Sequence, residues 1–433
     1  MEALDIRYPI HLALIIGAAA LFTGCGGPQP PIGSPGALPQ ASTRVRTDST
    51  HYNVVYSFSG GSDGANPVAG VIDVGGTLYG TTAAGGAYYC GLGGYHGCGT
   101  VYSVTPSGTE NVLHNFGAGS DGANPVAGLI DVGGTLYGTT SAGGSYGCYG
   151  SYYFNCGTVF SLTPSGSEQV LHDFSGYSND GAHPDAGLID VKGTLYGTTV
   201  VGGQGECYYS GFACGTVFSI TTTGTERVLH GFTGRPDGAL PYTDLIDVKG
   251  TLYGTTESGG KHGYGTVFRI AAGGAEKVLH NFGAGSDGRN PYAGLIELQG
   301  ALYGTTIGGG AYSCGSRVGC GTVFRITPGG TEEVLHSFGH GADGTHPYAS
   351  LIELNGKLYG TTLSGGAYSC SSNIACGTVF SVTPGGKEKV LHSFGGSNDG
   401  ARPHAGLTVV DDTLYGTTAI GGHGYGTVFS LKP

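Results

Sequence analysis

Ten of the eleven cysteines stand in close pairs: Cys90 with Cys98, Cys148 with Cys156, Cys207 with Cys214, Cys314 with Cys320, and Cys370 with Cys376. Thiols six to eight residues apart can bridge to each other or share a soft metal ion. Zinc asks for four ligands, and each pair supplies two. Two corresponding segments, 258–264 and 420–425, are shorter and lack both members of the pair. Presence or absence in pairs is what a local disulfide produces, and it implies an oxidising compartment. Closing a loop of about eight residues contributes about 2–3 kcal/mol on the chain-entropy model. Each bridge is therefore expected to shape its loop more than to hold the fold.

Tyrosines crowd the same segments: Tyr88, Tyr89, Tyr95, Tyr146, Tyr149, Tyr152, Tyr153, Tyr208, Tyr209, Tyr312 and Tyr368. Tyrosine among Gly and Ser is the composition of adaptable recognition loops, because the ring gives contact area at small entropy cost. The rings also suit stacking on sugar faces, and equally suit packing the loops down.

An Asp-Gly pair recurs at Asp63, Asp121, Asp180, Asp237, Asp287, Asp343 and Asp399. Calcium takes six or more oxygens, and each segment offers one obvious carboxylate. The pair reads first as a turn signal. One histidine recurs per unit, at His114, His172, His230, His280, His336 and His392, and reads as a packing and hydrogen-bonding group. His183, His346 and His404 lie beside Pro184, Pro347 and Pro403 and form no fixed ligand set. Glu206, Glu257 and Asp185 interrupt the repeat without suggesting an acid–base couple. There is no zinc-type His-Glu pair and no phosphate loop. No catalytic, metal or cofactor site is expected.

The elements that hold these residues come from a repeat. Leu-Tyr-Gly-Thr-Thr occurs around Tyr79, Tyr137, Tyr196, Tyr253, Tyr303, Tyr359 and Tyr415. A Gly-Thr-Val-aromatic phrase follows each, opening at Gly99, Gly157, Gly215, Gly265, Gly321, Gly377 and Gly426. Units of 50 to 59 residues cannot bury their own apolar faces and must stack. Each offers four short strands, a to d, which in the second unit are expected at 128–132, 135–140, 158–163 and 169–174. The a–b and c–d joints are tight Gly-containing turns, the b–c joint is long and variable, and the d–a joint is about a dozen residues.

This is the pattern of an all-β, seven-bladed β-propeller of four-stranded blades. The last unit stops after strand c, at 427–431, while the first strand, 53–58, matches a strand d with Tyr56 where later units have His. The N-terminal strand should therefore complete the last blade and leave no free edge. Gly80 and its repeats in strand b are expected to permit close approach of neighbouring blades. In such a ring the b–c and d–a loops share one face, and the tight turns occupy the other.

The two phrases resemble those of the GloVer tandem-repeat family, bacterial surface repeat proteins with interchangeable anchors, across residues 53–433. The resemblance implies an exported, envelope-attached repeat protein and brings no catalytic residues with it.

Composition agrees with export and argues against nucleic acid. The chain of 433 residues has 89 Gly, one Met, 11% charged residues and a net charge of −12. That charge opposes binding to a phosphate backbone. Residues 12–24 form an apolar run too short to span a bilayer, followed by Cys25. Residues 1–24 thus read as a lipoprotein-type signal peptide, with Phe22 three residues before the cysteine and Glu2 and Asp5 in a head segment that is not positive. Cys25 would carry the lipid and be the only membrane contact. No sorting segment is recognisable before Pro433. Gly26 after the cysteine favours the outer membrane or cell surface. Residues 25–50, rich in Pro, Gly and Ser, read as a flexible tether, and 51–433 as the propeller.

The expected function is a monomeric binding module that holds a glycan, cell-wall component or envelope protein on its long-loop face. A structural propeller in an envelope complex, and a polysaccharide lyase or hydrolase, remain the alternatives. The cysteine reading has a direct check. Intact mass after alkylation without reductant should show no modified cysteine between Cys90 and Cys376. Labelling of all ten overturns it.

Overall fold

The computed structural model describes residues 52–90, 97–117, 120–145, 156–176, 180–203, 214–271, 273–283, 286–314, 319–370, 374–395 and 398–433. Residues 1–51, with the expected signal segment, tether and Cys25, lie outside them. Alternating β-branched and aromatic residues between glycine turns give seven antiparallel four-stranded sheets, arranged as a seven-bladed propeller. In the first blade strand a is Ile72–Val74, b is Thr77–Thr82, c is Thr100–Val104 and d is Glu110–Asn115. In the second blade they are Ile130–Val132, Thr135–Thr140, Thr158–Leu162 and Glu168–Asp173. Strand a is shorter than the expected 128–132. It pairs only with the first half of strand b, from Ile130↔Tyr137 to Val132↔Thr135. The second half of b turns instead to the next blade.

The ring closes as expected. Tyr52–Ser57 pairs antiparallel with Thr427–Leu431, so the first strand of the chain is the outer strand of the seventh blade.

Two contacts recur at every blade interface. A threonine in strand b donates its hydroxyl to a carbonyl of the next blade. Thr81 reaches Ala127 O at 3.0 Å, Thr139 reaches Ala186 O at 3.1 Å, and Thr417 reaches Ala69 O at 2.9 Å across the closure. An aromatic ring after strand d then meets a ring on strand c of the next blade edge to face. Phe116 meets Phe160 at 5.1 Å, and Phe58 meets Tyr102 at 5.0 Å. The strand-b glycines serve this second contact, not the approach of neighbouring backbones. A Cβ on Gly138 would lie 2.7 Å from Phe160 of its own blade, so the glycine makes room for the ring that fills the interface.

The crossing from strand d to the next strand a carries a backbone feature that the sequence opposes. The residue before each crossing proline is left-handed: Asn66, Asn124, His183, Leu240, Asn290, His346 and Arg402 have φ of 53–58°. Residues before proline favour extended backbone, and Leu and Arg have no preference for positive φ. Each is pinned between two blades. Leu240 N–H donates to Cys214 O at 2.9 Å, and Leu240 O accepts from Glu257 N at 3.0 Å.

Closure gives a testable consequence. A chain starting at His51 should unfold in one transition. One starting at Gly60 loses Phe58, fully buried, and exposes the edge of Thr427–Leu431. The lost core side chain alone costs about 3–5 kcal/mol. Lower stability and aggregation on size exclusion are expected, and identical melting of the two chains would contradict ring closure.

Candidate functional site

The long b–c loops and the d–a crossings lie together, joined by short antiparallel pairings. Gly181 pairs with Gly202, Gly238 with Gly259 and Gly288 with Gly309. Single bridges such as Ala123↔Ala142 and Thr345↔Ser364 do the same in other blades. Two disulfides sit in these loops, Cys90–Cys98 and Cys314–Cys320, each with Cα atoms 5.3 Å apart. Cys156, Cys214 and Cys376 are also disulfide-bonded. Cys148, Cys207 and the side chain of Cys370 lie outside the described residues.

Among the described residues, every large apolar side chain left exposed is a tyrosine of a b–c loop: Tyr88, Tyr89, Tyr264, Tyr312, Tyr368 and Tyr425. Tyr264 and Tyr425 stand in the two loops without cysteines and were not singled out by the sequence. Tyr95, Tyr146, Tyr149, Tyr152, Tyr153, Tyr208 and Tyr209 lie outside the described residues, as does Glu206. Several rings rest on a crossing-loop glycine. A Cβ on Gly60 would lie 2.4 Å from Tyr425, and one on Gly395 2.4 Å from Tyr368. These rings therefore pack with one side and present another to solvent.

A second group surrounds the axis. The residues after the crossing prolines are Val68, Val126, Asp185, Tyr242, Tyr292, Tyr348 and His404. Four of them form a continuous arc of rings. Tyr242 stacks on Tyr292 with centroids 4.5 Å apart, Tyr292 meets Tyr348 at 4.8 Å, and Tyr348 meets His404 at 5.5 Å. Asp185 and Glu257, which sequence reading left uncoupled, lie within electrostatic reach of both Tyr242 and Tyr292. Burial pushes the Asp185 carboxyl up, against the opposing pull of His183 and a hydrogen bond from Ser141. Burial brings Glu257 to about 7. Burial, with Arg402 beside it, lowers His404 to about 4. The arc thus presents aromatic rings, phenol hydroxyls and two carboxyls that form no ion pair among the described residues.

His183 and His346 stand before their prolines and bond the scaffold. His183 Nδ1 lies 2.8 Å from Ser141 O, and His346 Nδ1 lies 3.1 Å from Thr345 Oγ1. Two residues beyond the arc is a narrower ring, mostly glycine. A Cβ on Gly70 would lie 3.0 Å from Gly406 O. Asp244 takes one of these positions and accepts from Gly187 N–H at 2.5 Å. Its side chain is exposed at this inner ring. Loss of water around it pushes its carboxyl up, against the hydrogen bond from Gly187.

The third group lies at the rim. Each strand-d histidine meets the recurring Asp of the following crossing: His114 and Asp121 at 3.0 Å, His172 and Asp180 at 3.2 Å, and His230 and Asp237, His280 and Asp287, and His336 and Asp343 at 3.1 Å. The Asp also makes the expected turn bonds, as in Gly339 N–H to Asp343 Oδ1 at 3.0 Å. The glutamate opening strand d of the next blade then approaches the pair. In His172–Asp180–Glu226, His230–Asp237–Glu276 and His280–Asp287–Glu332 one ligand atom from each residue lies within 4.8 Å of the others. Burial raises these glutamates to about 7. Around His336, Asp343 and Glu388 a cavity of 330 Å³ opens, also lined by Tyr312 and His340. The sequence reading held these histidines to packing because each unit contributes one. It missed that two consecutive units build each group.

Among solved structures, the chain is similar to a puromycin hydrolase at 13% identity and TM-score 0.52, over 86% of this chain and 52% of that one. It also matches a gluconolactonase from Xanthomonas campestris at 16% identity and TM-score 0.38, over 64% and 78% of the two chains. A luciferin-regenerating enzyme matches at 14% identity and TM-score 0.43, over 77% and 96%. At such identities the likeness concerns the fold alone. No curated protein matches the sequence. The family model does: the repeats at 92–318 and 310–433 make this chain a member of the Gloeobacter/Verrucomicrobia repeat family.

Proposed function

We propose that this protein is an extracytoplasmic binding module that takes a glycan on its long-loop face, with the axial arc as the principal subsite. The carrying observation is the arc itself. The blades repeat almost residue for residue in strands b and c, yet the post-proline position runs Val, Val, Asp, Tyr, Tyr, Tyr, His around the ring. Stability alone favours one side chain at seven equivalent positions. A one-sided arc of rings beside two carboxyls suits a sugar, whose axial C–H groups pack on aromatic faces while its hydroxyls bond acids and phenols. The exposed tyrosines of the b–c loops extend that surface outward. Attachment through a lipid on Cys25 belongs to the same reading, supported by the disulfides, which require an oxidising compartment.

The test is binding of the purified protein to an array of bacterial and plant polysaccharides. A hit weakened about tenfold or more by Tyr292→Ala, roughly the value of one stacked ring, is the expected result. Loss by Tyr89→Ala with Tyr292→Ala silent would move the subsite to the outer loops. A blank array would favour the assembly role. Glu257 sits at about 7, so a sugar hydroxyl that donates to its ionised form should bind more tightly at pH 8 than at pH 6. Glu257→Gln should flatten that dependence. For the anchor, Cys25→Ser should move the protein from the membrane fraction to the soluble one, and unchanged partitioning would remove Cys25 from the reading.

A further inference from the structure

We propose that the rim of the propeller binds divalent transition-metal ions of the zinc class, each held between two blades by the histidine and aspartate of one and the glutamate of the next. The donor set is one imidazole nitrogen and two carboxylates, which suits zinc better than calcium or magnesium. The spacing suits it as well. Ligands at about 2.0–2.1 Å around a tetrahedral ion lie about 3.3 Å apart, and the His Nε2 to Asp oxygen distances are 3.0–3.2 Å. Three of these groups already bring all three ligand atoms within 4.8 Å of one another. A fourth position would be left to water.

An independent observation points to the missing partner. Glu226, Glu276 and Glu332 each keep Oε1 buried without a hydrogen bond, and so do Glu168 and Glu388. In two groups Asp237 and Asp287 leave Oδ1 in the same state. A buried carboxylate oxygen without a donor is costly, and a bound cation removes that cost. The neighbouring turn uses its backbone donor on the Asp, as in Gly283 N–H to Asp287 Oδ2 at 3.1 Å.

Two interfaces break the donor set and act as internal contrasts. At one, Tyr56 replaces the histidine and donates to Asp63 at 3.0 Å. At the other, Tyr52 replaces the glutamate, stacks on His392 with centroids 3.9 Å apart and donates to Asp399 O. A phenol takes the place of one ligand at each, although Glu110 at the first keeps Oε1 buried without a hydrogen bond as its counterparts do; each interface lacks one of the three ligands, so neither should hold a metal.

The experiment uses untagged full-length protein stripped with chelator and titrated with zinc chloride by calorimetry, with thermal unfolding in parallel. About three zinc ions per chain at micromolar concentration are expected, one for each convergent group, together with a rise of several degrees in the unfolding midpoint. The triple variant Glu226→Gln, Glu276→Gln, Glu332→Gln should lose all three ions and the midpoint shift. Should that variant fail to fold, Glu276→Gln alone should lose one ion of the three. Absence of saturable binding, or an unchanged stoichiometry in either variant, overturns the proposal and leaves the groups as hydrogen-bonded struts.

Discussion

A threonine hydroxyl and an aromatic ring set the spacing between blades, and the remaining structure depends on that spacing. Thr81, Thr139 and their repeats reach a carbonyl of the next blade, so a polar bond forms where two sheets would otherwise meet only through apolar packing. The Phe116–Phe160 type of contact lies farther out and fixes the angle. Thr417 to Ala69 and Phe58 to Tyr102 repeat the arrangement at the closure, so the last interface is spaced like the others. Strand-b glycine belongs to the same device. Without Cβ it lets the ring of strand c lie flat on its own sheet, which makes the ring available to the neighbour.

Spacing fixed in this way decides what else the fold can build. With every interface alike, the end of one strand d always lies beside the start of the next. His172 and Asp180 therefore find Glu226 by the same geometry that brings His230 and Asp237 to Glu276. The left-handed residues before the crossing prolines work on the inner side. By donating to one blade and accepting from the next, Leu240 and its equivalents fix where the following residue enters the axis. Backbone strain at Leu240 and Arg402 is accepted there because the flanking bonds over-determine the turn.

The blades were legible in the sequence because their signals are local. Thr-Leu-Tyr-Gly-Thr-Thr declares a strand, and Gly133-Gly134 declares the turn before it; neither needs knowledge of a distant residue. Closure was legible for a different reason: an unmatched strand at one end and a missing one at the other. The rim groups were not, since Glu226 lies 46 positions after Asp180 and in a different unit. Reading each repeat as a column showed one His per blade and hid the contact between columns. The arc escaped for the opposite reason. Tyr242, Tyr292 and Tyr348 lie outside the tyrosine-rich loops that drew attention, and only the column after the prolines, read around the ring, would have assembled them.

The two kinds of site differ in how they relate to symmetry, and that difference separates their roles. The rim groups repeat the same three side chains around most of the ring and depart only where the chain closes, at Tyr52 and Tyr56. A feature present at interface after interface acts on the interface, and tying adjacent blades is the use that repetition serves. The arc does the reverse. It keeps the proline and the turn in all seven crossings and changes the side chain that follows the proline. A scaffold gains nothing from placing three tyrosines on one side of a ring and two valines on the other. The proposed ligand, lacking sevenfold symmetry, would account for such a surface, because it would meet each blade only once.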